Sequence, residues 1–239
     1  MQGDLETGLQ AITGQAVRVT GAGRTDAGVH ALGQVVHLRP AWRHSMADLW
    51  RAWNANLPPD IAIRAVALVP DSFHARFSAR SRLYRYHIYN SPVRAPLRDR
   101  YAWQVSRALD VGLMDRTAAT LVGRHDLASF GSAPWGENTV RTVFRARCEA
   151  RAGLIRVEVE ADAFLQHMMR RLVATLVAVG TGHLSAEQFA DIVAAKDRRL
   201  AAGMAPARGL VLVAVRYDPG VLEWSLPSSE LWQKESFIE

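Results

Sequence analysis

The chain has 239 residues, 49% of them hydrophobic and 22% charged, a globular composition long enough for one large domain or two small ones. Its formal charge of +6 and pI of about 10.1 point to an acidic partner, of which nucleic acid is the commonest. One cysteine, Cys148, excludes an internal disulfide and fits a reducing, cytoplasmic setting; MQGDLETGLQ has no apolar signal region, and LVATLVAVG from Leu172 is too short to span a bilayer.

GDLETGLQAI reads as a helix, with Leu5, Leu9 and Ile12 on one face. AVRVTGAG reads as a short strand ending in a glycine loop, and HALGQVVHL as a second strand. SMADLWRAWNANL is predicted to be a helix capped by Ser45 and ended by Pro58 and Pro59. IAIRAVALV reads as a strand. The first part is therefore α-β-β-α-β. RLYRYHIYN opens a second round as a strand, followed by the connection SPVRAPLRDR and the helix LDVGLMDRTAATLVG. VRTVFRARCEA and LIRVEVEA form a hairpin turned at Ala152 and Gly153. A long helix, FLQHMMRRLVATLVAVG, a smaller one from Ser185 and the strand GLVLVAVRY complete β-α-β-β-α-β, the ferredoxin-like order. The halves match if one strand is missing before Met1. The fold expected is α+β: two ferredoxin-like (RRM-like) lobes with antiparallel sheets forming a cleft, the N-terminal lobe lacking its first strand. The lobes span 1–78, with the glycine loop, and 79–218. An acidic tail, 219–239, carries Trp224 and Trp232.

In GAGRTDAGVHALGQVVHL, Gly21, Gly23 and Gly28 surround Arg24, Thr25 and Asp26. Glycine permits positive φ and close approach of a ligand backbone. Arg24, two residues away, would hold the Asp26 carboxylate charged, and a charged, desolvated carboxylate is a candidate nucleophile. A surface turn with a local ion pair accounts for the same residues. The glycines match neither nucleotide-binding pattern, and one cysteine with scattered histidines gives no metal-site spacing. In FHARFSARSRLYRYHIYN, Phe73, Phe77, Tyr84 and Tyr86 offer stacking faces, and Arg76, Arg80, Arg82 and Arg85 offer phosphate contacts, as an RNA surface would. A half-buried strand uses tyrosines in the same alternation. Only Lys196 and Lys234 are lysines; arginine suits phosphate, and GC-rich codon usage explains the excess equally well. On FLQHMMRRLVATLVAV, Leu165, Met169, Leu172, Val173 and Leu176 form an apolar stripe, and Arg170 and Arg171 lie off it, facing either a cleft or solvent.

These motifs, with NANLPPDIAIRAVALVPDSFHARFSARSRLYRYHIYN, FLQHMMRRLV and AAKDRRLAAGMAPARGLVLVAVRY, closely resemble the TruA family of tRNA pseudouridine synthases over about residues 1 to 217. The resemblance implies isomerisation of uridine to pseudouridine in the anticodon stem-loop of tRNA, around its positions 38–40, by a homodimer that needs no cofactor and no metal. It implies that Asp26 is the catalytic aspartate and that Tyr84 stacks on the target base. Arg24 would fill the space left by the flipped nucleotide, and Arg170 would pair with Asp26. Phe73, His74, Arg76 and Phe77 would line the RNA-binding groove. The carboxylate attacks at C1′ or at C6; both routes stay open. Two other readings also stay open, an RNA-binding module without catalysis and an oligomeric scaffold. The family's leading strand is absent here, which predicts that Met1 is not the biological start.

Overall fold

A computed structural model of the chain describes residues 1–151 and 153–222, so the tail tryptophans lie outside the described residues. Two compact units divide the chain. One comprises Met1–Gly23 and Val35–Ala79 with the stretch beginning at Tyr217, and the other Arg24–Gln34 and Arg80–Arg216. The glycine loop thus falls partly in the second unit, although it lies within 1–78 in sequence.

In the first unit, Leu5 and Leu9 fall on one face of α1, Gln2–Thr13, because they stand one helical turn apart. The chain then makes β1, Thr20–Gly21, far shorter than AVRVTGAG predicts. HALGQVVHL is not one strand. It divides into β2, His30–Ala31, in the second unit, and β3, Val36–His37, in the first. β1 and β3 pair antiparallel, Gly21 opposite Val36. α2, Met46–Ala55, starts as predicted at Ser45, whose hydroxyl accepts the Asp48 N–H at 3.1 Å. Leu5, Leu9, Val17, Val19, Leu49 and Trp53 form this unit's core, and the Trp53 indole donates to the Leu5 carbonyl at 3.1 Å.

IAIRAVALV forms no strand. Side chains take the place of a ladder: the Ile63 N–H donates to Asn54 Oδ1 at 2.7 Å, and the Ile63 carbonyl accepts from Asn54 Nδ2 at 2.9 Å and Trp50 Nε1 at 2.6 Å. Ile61 and Ile63 still pack on the core. Alternation reports which side chains turn inward; it does not report whether a neighbouring strand is there to pair.

The second unit runs β4, Ser81–Asn90; β5, Trp103–Val105; α3, Val111–Ala119; β6, Gly123–Asp126; β7, Val140–Arg151; β8, Leu154–Ala161; α4, Met168–Gly180; α5, Ala186–Ala195; and β9, Leu210–Arg216. Its sheet is ordered β2-β9-β4-β8-β7-β6, with β5 also on β4. The sheet is mixed rather than purely antiparallel, since β2–β9 and β4–β5 are parallel pairs. β5 and β6, at three and four residues, are too short to show a period and were not predicted. The β7–β8 hairpin pairs Arg151 with Leu154 around Gly153, whose φ is +75; Ala152 is outside the described residues. α5 opens with a full capping box between Ser185 and Gln188. α4 begins at Met168, not at Phe164.

One sheet face is the core. Tyr84, Tyr86, Ile88, Val157 and Val159 pack with Met114 and Ala118 of α3 and Leu172, Val173 and Leu176 of α4. The alternate residues Arg85, His87, Arg156 and Glu158 are also buried. The class is α+β, and no helix among the described residues is long and apolar enough to cross a membrane.

Candidate active site

Asp26 opens a four-residue turn. Its carbonyl accepts the Val29 N–H at 3.1 Å, and Gly28, third in the turn, has φ +80, a type II geometry in which a side chain would be strained. β2 follows at once. His30 lies opposite Val211 and Ala31 opposite Leu212, and the Leu32 N–H bonds the Leu212 carbonyl at 2.9 Å. The turn is therefore anchored to β9 by backbone hydrogen bonds.

Arg170, in the first turn of α4, donates from Nη1 to Asp26 Oδ2 at 2.8 Å. Its Nε donates to the Ala205 carbonyl at 2.8 Å, and the Ala205 N–H returns a bond to the Arg170 carbonyl at 3.0 Å. Ala205 is fixed from the next residue, for the Tyr86 hydroxyl donates to the Pro206 carbonyl at 2.7 Å. Arg170 lies off the apolar stripe as predicted, yet its side chain is only 16% exposed, so it is a paired group and not a solvated one. The Asp26 side chain keeps 32% exposure and stays reachable. On the other side of the carboxylate, His167 Nε2 stands 3.5 Å from Oδ1.

Tyr84, on β4 between Val159 of β8 and Leu212 of β9, is buried with its ring edge-on to Phe164, centroids 4.7 Å apart. Burial pushes its phenol up to about 12; the Arg82 charge opposes that rise and the Asp26 charge adds to it. Arg24 is exposed in the same segment as Asp26 but forms no ion pair with it among the described residues. The sequence neighbour is not the partner; Arg170, 144 positions away, is.

The other sequence candidates lie in the first unit. Phe73 is buried, packed on Tyr217 at 5.2 Å and edge-on to His37 at 6.3 Å. His37, His74 and Phe77 form a run of ring contacts, 4.6 and 4.3 Å between centroids, and the Arg76 guanidinium lies 5.7 Å from the Phe77 ring centre. His74 Nδ1 accepts the N–H groups of Arg76 and Phe77 at 3.2 and 3.3 Å, which leaves Phe77 held but 76% exposed.

Two expectations for the arginine-aromatic run are corrected. Arg82 and Arg85 are not open to phosphate: Arg82 Nη1 donates to the Asp162 carbonyl at 2.8 Å, and Arg85 is buried on Glu158 at 2.7 Å. Tyr86 has no free stacking face, because it is fully buried with its hydroxyl donated to the Pro206 carbonyl. His167 and Phe164 had carried no signal in the sequence. Among the described residues, no three His, Cys, Asp or Glu side chains converge as metal ligands.

Comparison with known proteins bears on this geometry. A family model described as tRNA pseudouridine synthase matches residues 2–78 and 117–218, which include Asp26, His167 and Arg170; Tyr84 lies between the matched segments. A protein of Chloroflexus aurantiacus named tRNA pseudouridine synthase A is 45% identical over 235 residues, 95% of this chain and 84% of the relative. Proteins of the same name from Roseiflexus castenholzii and Herminiimonas arsenicoxydans are 47% and 41% identical, covering 91% and 97% of this chain and 82% and 85% of their own lengths. With the Asp26 turn and the Arg170 helix both inside the matched segments, the chain belongs to the tRNA pseudouridine synthase family of isomerases.

Proposed function

We propose that this chain converts uridine to pseudouridine in the anticodon stem-loop of tRNA, with Asp26 as the attacking group. The observation that carries the reading is the asymmetry of the Asp26 carboxylate. Oδ2 is held at 2.8 Å by Arg170, while Oδ1 has no such short bond and belongs to a side chain that remains reachable. A fixed, oriented carboxylate is what nucleophilic attack needs.

In the proposed reaction the N1–C1′ bond breaks, the uracil turns, and a C5–C1′ bond forms. The C5 hydrogen leaves as a proton and N1 gains one, so no electrons are exchanged and no redox cofactor is consumed. Oδ1 serves as the attacking atom whether the target is C1′ or C6. The base must first leave its stack. Tyr84 then supplies a ring for it to stack on, with Phe164 supporting that ring at 4.7 Å. Arg24 fills the place the nucleotide leaves. The exposed Phe77 face and Arg76 support a role for Phe73, His74, Arg76 and Phe77 in the RNA-binding groove. The order β9-β4-β8-β7, with α3 and α4 packed on its apolar face, supports reading the second unit as a ferredoxin-like lobe. The enzyme acts in the cytoplasm as a homodimer.

The test is release of tritium from tRNA carrying 5-tritiated uridine. Asp26→Ala and Asp26→Asn are expected to abolish release while tRNA affinity stays within about fivefold, because phosphate contacts dominate affinity. Turnover by Asp26→Ala would remove Asp26 from the mechanism. An unmutated chain that binds tRNA and releases no tritium would favour a binding module.

A further inference from the structure

The chain enters α4 through a turn of the same kind as the one that presents Asp26. The Met168 N–H donates to the Leu165 carbonyl at 3.2 Å, and the third residue of the turn, His167, has φ +64 and ψ 5. In the Asp26 turn that position is Gly28. Here it is a β-carbon-bearing residue in left-handed backbone, one of two such non-glycine residues among those described. The conformation is enforced by its surroundings. The Gln166 N–H donates to the Ser132 carbonyl at 2.9 Å, and a Cβ on Gly131 would meet the Gln166 carbonyl oxygen at 2.6 Å, so the two backbones lie against each other. The His167 carbonyl accepts the Arg171 N–H at 3.1 Å, while the imidazole does not cap the helix. Glycine would satisfy every backbone demand at this position. What histidine adds is a ring whose Nε2 stands 3.5 Å from Asp26 Oδ1, the oxygen that Arg170 leaves free. The side chain is 33% exposed, so packing does not account for it. Strain kept where glycine would serve, beside a reacting group, points to function.

We propose that His167 is a positioning residue for the reaction: its Nε2 steers Oδ1 of Asp26 into the orientation for attack, opposite the clamp that Arg170 places on Oδ2. The inference rests on the proposed function. Two anchors define a carboxylate plane that one leaves free to swing about the Cβ–Cγ bond, and attack needs that plane fixed.

Three substitutions separate this role from a backbone role. His167→Gly relieves the left-handed strain and removes the donor. His167→Gln keeps the strain and restores a donor at the reach of Nε2. His167→Asn tolerates the backbone, but its amide is too short for Oδ1. The measurement is the single-turnover rate of tritium release, with the tRNA dissociation constant determined alongside. His167→Gly and His167→Asn are expected to be slower by about 10–100-fold, with the dissociation constant within about threefold, and His167→Gln to recover most of the rate. A backbone role predicts the opposite ranking, glycine fastest and glutamine slowest. Wild-type rate in His167→Gly, or no advantage of Gln over Gly, overturns the proposal. If the glycine variant does not fold, the Gln–Asn comparison decides in the same way. Asp26→Ala runs as a control. No release by the unmutated chain would defeat the proposed function itself, whereas equal release by the unmutated chain and His167→Gly defeats only this inference.

Discussion

Asp26 depends on an arginine that makes two bonds in different directions. Nη1 reaches Asp26 Oδ2 and Nε reaches the Ala205 carbonyl, both at 2.8 Å. A guanidinium is planar and rigid, so holding one end aims the other. Lysine carries a single ammonium on a flexible stem and cannot span both acceptors. Arg170→Lys is therefore expected to lower kcat by about 100-fold while tRNA affinity changes little, since the loss is one of orientation. Single-turnover rates set against filter binding check this; an unchanged kcat would show that the Ala205 bond is dispensable. The partnership was legible only in part. Composition and spacing single out Asp26 by its glycines and leave Arg170 undecided between cleft and solvent. Resemblance pairs the two, and the fold brings them together across 144 positions. Arg24 shows the limit of sequence proximity, because standing two residues away does not bring its guanidinium to the Asp26 carboxylate, which Arg170 holds instead. His167 gave no signal, since left-handed backbone is imposed by the Gly131–Gln166 approach and no local residue pattern reports it.

At the scale of elements, β4 and β8 bury both of their faces. The face away from the core centres on Glu158, which accepts Arg85 at 2.7 Å, Arg145 at 2.9 Å and Arg147 at 3.2 Å. Burial alone would raise the Glu158 pKa, but the Arg85 hydrogen bond and the three guanidinium charges outweigh it, and the net direction is down. His87 shares this face. Burial pushes its imidazole from 6.5 down to about 4, Arg85 and Arg156 add to the fall, and Glu158 opposes it. The folded chain thus holds His87 neutral where the unfolded chain would protonate it. Stability from this group is complete above about pH 6.5 and declines as pH falls towards 4, by at most about 3 kcal/mol. His87→Leu cannot titrate, so the wild-type minus variant difference in unfolding free energy should shrink by about that amount between pH 7 and pH 4; parallel curves would refute the burial argument. Sequence periodicity served well for α1, α2, α3 and α5 and for the long strands. It misread the outward arginines of β4, because alternation separates two faces without saying that the second is also covered. It overcalled 61–69, where Asn54 and Trp50 supply the hydrogen bonds a strand would have made.

For the whole molecule the governing quantity is charge. The surplus is +6, set against a tRNA that carries a negative charge at every phosphate. Much of the arginine is engaged within the protein: Arg85, Arg145 and Arg147 on Glu158, Arg170 on Asp26, Arg208 on Asp99, Arg216 on Glu160. Pairing leaves the net surplus unchanged but restricts which guanidiniums are free to meet phosphate. A second copy of the chain doubles the surplus facing one polyanion and doubles the surface over which it is spread. This physical argument runs in the same direction as the family resemblance, and both predict a homodimer. Multi-angle light scattering at micromolar concentration should return twice the 26.4 kDa of one chain, without tRNA present. A single species of 26.4 kDa under those conditions would count against it, and tRNA binding by that monomer at full affinity would show that one chain's surplus is enough.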